Sequence, residues 1–482
     1  MSTTVATVAA LVAGDAGWRI MSFQTPGPSV SRDLALPSGA VMKTRKTGWA
    51  RASLLLPAFV LACFSQPAEA QFRQYTPPGD SGGSGGSRQK QLEEEMAEAR
   101  WRAGPLRLAP WLGIPQAQYV DNVFAASDQD PGADAGASDL TATFGLGLTA
   151  YLPIGSKVIW TAQVAPEYVW WQDQSERNQL SGRYGTGVFA DLNRLRLEVL
   201  AGRTERQQRF TSEALQLGVL RQDRAEVDVE LRLAGGLWLF AGGSFTEFED
   251  RTDSDDPRIT DFGRIDREET IRRGGLAYVF PNDVRIALGI EETETDLAPG
   301  ARPLSSDGTS PVLEIRAPGE RLEIGLELAQ RELEPVAGSQ FVPFDETAGT
   351  LRLAFRPGWR LRFELYGRSQ PVLSLDESYS HFTEQRIGLA ISAPFAEERL
   401  QLRLAGEIGN NDYQGLAAGV PDRRDDVTAW SVEATMRIAD PLRLTTGLRS
   451  LDLDSNLPGL DRTVEAVLFA VGLELGSDFL WK

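Results

Sequence analysis

AEVDVELRL, running from Ala225 to Leu233, is the segment on which the fold turns. Val227, Val229, Leu231 and Leu233 form one row, and Glu226, Asp228, Glu230 and Arg232 form the other. Successive side chains of a strand point to opposite faces, whereas a helix needs apolar residues three and four apart. The period here is two, so the segment is a strand with one apolar and one charged face. The same contrast recurs in Ala142 to Leu152, in RLEIGLEL from Arg321, in WRLRFELY from Trp359, in RLQLRLAGEI from Arg399 and in WSVEATMRI from Trp430.

Short turn sequences separate these rows: PIGSK at Pro153, LNR at Leu192, AGG at Ala234, PND at Pro281, PGE at Pro318, PGW at Pro357, PFAEE at Pro394 and ADP at Ala439. They fall about 37 to 47 residues apart. That spacing suits two strands of about 10 residues, one tight turn and one longer loop. Polar, irregular stretches lie between, notably Glu249 to Glu268, Ser369 to Thr383 and Asn410 to Asp425. Eight turns joining sixteen strands, with one more strand at each end, give an all-β chain folded as a transmembrane antiparallel barrel of about 18 strands over residues 104–482. The competing reading is a soluble all-β protein such as a propeller; the alternation of short and long connections and the amino-terminal address argue against it.

Turned toward lipid, the apolar row forms a belt, with Trp160, Tyr168, Trp170, Trp359, Trp430 and Trp481 as interfacial aromatics. The other row then lines the lumen. Its candidate pore residues are Glu230, Arg232, Arg285, Glu323, Glu327, Arg352, Arg360, Arg362, Glu364, Arg403, Glu433 and Arg437, with Arg196, Glu198, Asp228 and Glu291 beside them. A barrel of this size leaves an aqueous channel unless loops or the amino-terminal segment fill it.

Upstream, Lys43, Arg45, Lys46 and Arg51 precede an apolar run from Leu54 to Phe64 and an Ala68-Glu-Ala70 end. This order describes a secretory signal over residues 42–70, cleaved between Ala70 and Gln71, with residues 1–41 an over-long start. Val60-Leu-Ala-Cys63 also has the form of a lipobox, the alternative processing site. Residues 71–103 hold a Gly/Ser/Pro linker and then QKQLEEEMAEARWR, a short helix that is either solvated in the periplasm or a plug or docking helix. Both termini are expected on the periplasmic side of the cell outer membrane.

With 49 basic against 67 acidic residues the chain lacks the basic stripe that nucleic acid demands. One cysteine and one histidine leave no thiolate or imidazole set for a metal, and neither cofactor nor metal is expected. His381 sits in Asp376-Glu-Ser-Tyr-Ser-His381, a loop context without a designed nucleophile, so the chain reads as no enzyme. Asp452-x-Asp454-x-Asn456 and Asp253-x-Asp255-Asp256 lack the rest of a calcium loop and read as solvated acidic loops.

Glu474, Gly476, Phe479 and Trp481 resemble the carboxy-terminal recognition signal of outer-membrane barrels: polar, x, Gly, x, x, aromatic, x, hydrophobic. The resemblance implies insertion by the barrel-assembly machinery into outer-membrane lipid and lipopolysaccharide, although Lys482 departs from the usual aromatic terminus. LRLAPWLG from Leu106, running into YVDNVF from Tyr119, is similar to the opening of the β-barrel porin type 2 family. Members of that family are encoded with exopolysaccharide systems, so the resemblance implies a conduit for polysaccharide export. Uptake of small hydrophilic solutes through a porin, and a structural surface barrel with a blocked lumen, are the alternatives.

Overall fold

All eight predicted turns lie between successive strands, joining them in pairs into one wall. The computed structural model describes residues 9–12, 19–22 and 88–474, except 100, 127–136, 214, 253–259, 320, 359, 397–398 and 440–441. The expected signal and cleavage residues Ala70 and Gln71, Cys63, the linker, Trp359, Gly476, Phe479, Trp481 and the side chain of Glu474 lie outside that set. Residues 9–12 and 19–22 form a two-stranded antiparallel hairpin of their own, with Leu11 opposite Ile20.

The first six barrel strands are β1 (Leu106–Val120), β2 (Asp139–Ile154), β3 (Val158–Trp171), β4 (Gln179–Asp191), β5 (Leu195–Gln208) and β6 (Gly218–Ala234). Six more follow: β7 (Leu237–Asp250), β8 (Arg267–Val279), β9 (Arg285–Leu297), β10 (Ser306–Ala317), β11 (Leu322–Pro335) and β12 (Phe344–Phe355). The last are β13 (Arg362–Leu373), β14 (Tyr379–Phe395), β15 (Leu400–Gly415), β16 (Arg424–Ala439), β17 (Leu442–Ser455) and β18 (Arg462–Glu474). Each pairs antiparallel with its sequence neighbours, and β18 pairs with β1, Val467 opposite Tyr119, which closes the barrel. At that seam a β-carbon on Gly113 would lie 2.4 Å from the Val471 carbonyl oxygen, so glycine permits the closure. Closure gives each of the eighteen strands a partner on both sides, the condition for a sheet to survive in hydrocarbon.

The tight turns place residues at positive φ where their chemistry tolerates it, as at Gly155 (φ 66°) and Asn193 (φ 72°). The outward row is apolar and open to its surroundings: Leu288 is 63% exposed, Ile290 61% and Ile408 60%. Tyr168 and Trp430 also stand exposed on this row. Such a belt is stable against acyl chains and costly against water.

Two boundaries differ from the sequence reading. Much of Ser369 to Thr383 and half of Asn410 to Asp425 are strand, because β13 runs to Leu373, β14 begins at Tyr379, β15 runs to Gly415 and β16 begins at Arg424. These polar ends continue the ladder past the apolar belt, where alternation no longer separates apolar from polar. His381 accordingly sits in β14 rather than in a loop, 1% exposed, with the Phe341 and Phe344 rings 5.0 and 5.7 Å away.

Candidate functional site: the lumen

The charged row faces the interior, since several of its members meet partners on strands that are not their neighbours in the wall. Arg285 on β9 reaches Glu230 on β6 at 2.7 Å and Glu314 on β10 at 3.4 Å, while Arg196 on β5 reaches the same Glu230 at 3.4 Å. Arg352 meets Glu364 at 2.9 Å and Glu323 at 3.9 Å, and Arg362 meets Glu323 at 3.4 Å. Arg273 pairs with Asp228 and Arg331 with Glu291. Arg403 stands opposite Glu433 in register, and Glu327 opposite Glu314. Of the other expected pore residues, Arg232 and Arg437 are exposed near the short-turn rim. Arg360 is exposed in the turn between β12 and β13 and contributes to no strand, a correction that follows from β13 beginning only at Arg362.

The network extends to residues that sequence reading passed over. Arg368 meets Glu384 at 2.7 Å and Glu407 at 3.8 Å, and Arg386 meets Glu384 at 3.4 Å. Arg368 and Glu407 lie four residues along recognised rows, from Glu364 and Arg403, so strict extension of the period would have found them; Glu384 and Arg386 lie on β14, where the sequence reading held no row. The β1 to β4 arc is different. Between the rims its inward charges are Glu167 and Arg183, paired at 2.8 Å; other residues of its inner row, among them Trp111, Thr149, Gln163 and Ala165, are uncharged.

Two elements enter the lumen. At the short-turn end, helix α1 (Arg88–Glu98) lays Leu92 and Met96, with the following Ala99, on Ala109, Tyr151, Ile159 and Phe189 of the inner row. The Tyr151 hydroxyl donates to Glu95 at 3.1 Å. Positions 92, 95, 96 and 99 share one helix face, and it is this face that the wall buries. The helix therefore packs by this face on the inner row of the wall.

At the long-loop end, the connection from β5 to β6, described at 209–213 and 215–217, crosses the lumen. Leu215 packs against Val120, Val427, Leu453 and Val464, on strands β1, β16, β17 and β18, none of which neighbours β5 or β6. Phe210 stacks on Phe262, with centroids 4.2 Å apart. Arg209 donates to the Leu215 carbonyl, and burial, together with the nearby Arg449, lowers its guanidinium to about 10. Glu213 accepts from Ser374 Oγ at 3.1 Å and from the Leu375 amide at 2.8 Å, and lies 3.3 Å from Arg423. Burial pushes its carboxyl up, against the pull of Arg423. Arg423 also pairs with Asp376 at 3.2 Å and Asp425 at 2.7 Å. Arg302 fastens the facing loop by donating to the carbonyls of Ser374, Asp376, Glu377 and Tyr379. The sequence carried one sign of this crossing: Phe210, Leu215 and Leu217 are too apolar for a solvated loop.

No protein-family model matches the sequence, and no curated protein matches it. Among solved structures the chain is similar to a BenF-like porin from Pseudomonas fluorescens Pf-5, at 14% identity over 76% of this chain and 99% of that one, with a TM-score of 0.48. It is also similar to OccK2 of Pseudomonas aeruginosa, at 14% identity over 77% and 98% of the two chains and a TM-score of 0.48. OccAB3 of Acinetobacter baumannii matches at 12% identity over 76% and 99%, with a TM-score of 0.45.

Proposed function

We propose that the chain is an outer-membrane channel for small hydrophilic solutes, with both chain ends on the periplasmic side. The observation that carries this reading is the division of the closed wall into an exposed apolar row and an inner row of paired arginines and carboxylates. Only a barrel with lipid outside and water inside satisfies both rows. The crossing of residues 209–217 narrows the long-loop end and α1 narrows the other, which suits solutes of modest size and disfavours a bulky polymer. In this reading the inner charges sort solutes: fixed charge sets the local concentration of counter-ions along the path.

Liposomes containing the purified chain are expected to take up small sugars or amino acids at rates that fall with solute size. Arg362→Glu, which reverses a charge on the inner wall, is expected to shift ion selectivity toward cations. Impermeable liposomes holding folded protein would overturn the reading. Export of exopolysaccharide remains the second reading, supported by the resemblance of Leu106 to Phe124; it predicts that deleting the gene retains polymer in the envelope and leaves small-solute uptake unchanged.

A further inference from the structure

We infer that the β1 to β4 arc of the lumen carries a binding recess for an uncharged, hydroxyl-rich solute, a sugar or polyol. The inference rests on the reading of the barrel as a solute channel. Trp111, on the inner row of β1, lies across Gly145 and Gly147 of β2: a β-carbon on Gly147 would fall 2.3 Å from the indole Nε1, and one on Gly145 2.8 Å from the far edge of the ring. The two glycines therefore make room for an indole held flat against the wall.

Trp111 Nε1, Thr149 Oγ and both amide atoms of Gln163 are buried and have no hydrogen-bond partner, their residues being 4%, 0% and 1% exposed. Thr149 and Gln163 stand directly opposite in register, where side chains lie about 5 Å apart, and Trp111 stands opposite Gly147, two residues along the same row as Thr149. Gln163 faces Gly185, and Gly185 faces Gly202, so the wall beside the amide has no side chains.

Buried donors and acceptors are seldom left unpaired, and several on three adjoining strands mark a place where something else completes them. The chemistry selects the ligand. A primary amide offers a donor and an acceptor side by side, matching a pair of neighbouring hydroxyls; Thr149 adds a group of either sense and the indole adds one donor. An apolar solute would leave these atoms unpaired, and the three groups that line the recess are themselves uncharged, while the carboxylate nearest along the row, Glu167, is held by Arg183 at 2.8 Å.

The test uses the full chain in detergent and in planar bilayers, with glucose and trehalose as probes and a polyethylene glycol of matched size as control. Sugar binding is followed by calorimetry and by blockade of the ion current. Wild type is expected to bind sugar and not the glycol. Gln163→Leu and Trp111→Leu, each verified as folded by heat-modifiable gel mobility, are expected to bind about tenfold more weakly or not at all. An ion current that sugars do not affect, with no calorimetric binding, means that ordered water alone fills the recess and overturns the inference while the channel stands. Sugar binding without any ion current overturns the channel and leaves the recess. Folded Gln163→Leu and Trp111→Leu that bind as wild type would also overturn it.

Discussion

Arg423→Met should loosen the constriction at the long-loop end. Arg423 is 4% exposed at its side chain and serves Glu213, Asp376 and Asp425, with Tyr413 beneath it at 4.1 Å. Removing one member of such a buried set strands the others, at about 3 to 5 kcal/mol. Against this, the loop keeps Phe210 and Leu215, at 4% and 2% exposure, each stabilising it by about 1.5 to 3 kcal/mol. The two contributions are comparable, so the single variant should hold a loop that leaves and returns. Leu215→Ala removes about another 2 to 5 kcal/mol, and the pair of changes should free it. Single-channel recording should show a quiet wild-type level, flicker to a larger level in Arg423→Met, and a larger mean conductance in the double variant. Glu213→Gln should do less, because its amide oxygen still accepts from Ser374 and Leu375. A folded double variant with wild-type conductance and noise would refute the assignment of residues 209–217 as the constriction.

Charges placed in the belt, Ile324→Arg or Leu402→Arg, should each cost roughly 2 to 4 kcal/mol in urea unfolding of the reconstituted barrel, whereas Glu323→Gln on the inner row should cost clearly less. Leu92→Asp should detach α1 from Tyr151 and Ile159, seen as raised conductance and as protease cleavage within 88–99 in folded protein. The mouth should also respond to pH. Burial, with the charge of Asp250 adding to it, raises the Asp266 carboxyl to about 6, above its ordinary range. The folded mouth therefore binds this proton more tightly than the unfolded chain does, so it gains stability as pH falls from 7 through 6 and loses it on the way back. Amide exchange around 260–266 should slow over that interval in wild type and show no such change in Asp266→Asn.

Period-two rows such as Ala225 to Leu233 and turn residues such as Gly155 and Asn193 made the wall legible from sequence, because each side chain's environment depends only on its own strand. Residues whose environment depends on distant strands were hidden. Leu215 meets β16 to β18 only after closure, and Trp111 gains its place only once β1 lies against Gly145 and Gly147. Arg360 shows the limit at a turn, where alternation no longer fixes a direction. The role of α1 was undecidable from composition, since Ala99, a quarter of its buried face, is as common on solvated helices as on packed ones.

Glu327 and Leu326 are neighbours on β11 that face opposite sides of the wall. In a chain with Cys63 changed to serine, a cysteine is placed at one position or the other, and a charged, membrane-impermeant thiosulfonate is added during single-channel recording. The account predicts that the reagent lowers the current through Glu327→Cys in discrete steps and leaves Leu326→Cys unchanged. Equal responses at the two positions, or folded protein that carries no current at all, would contradict it.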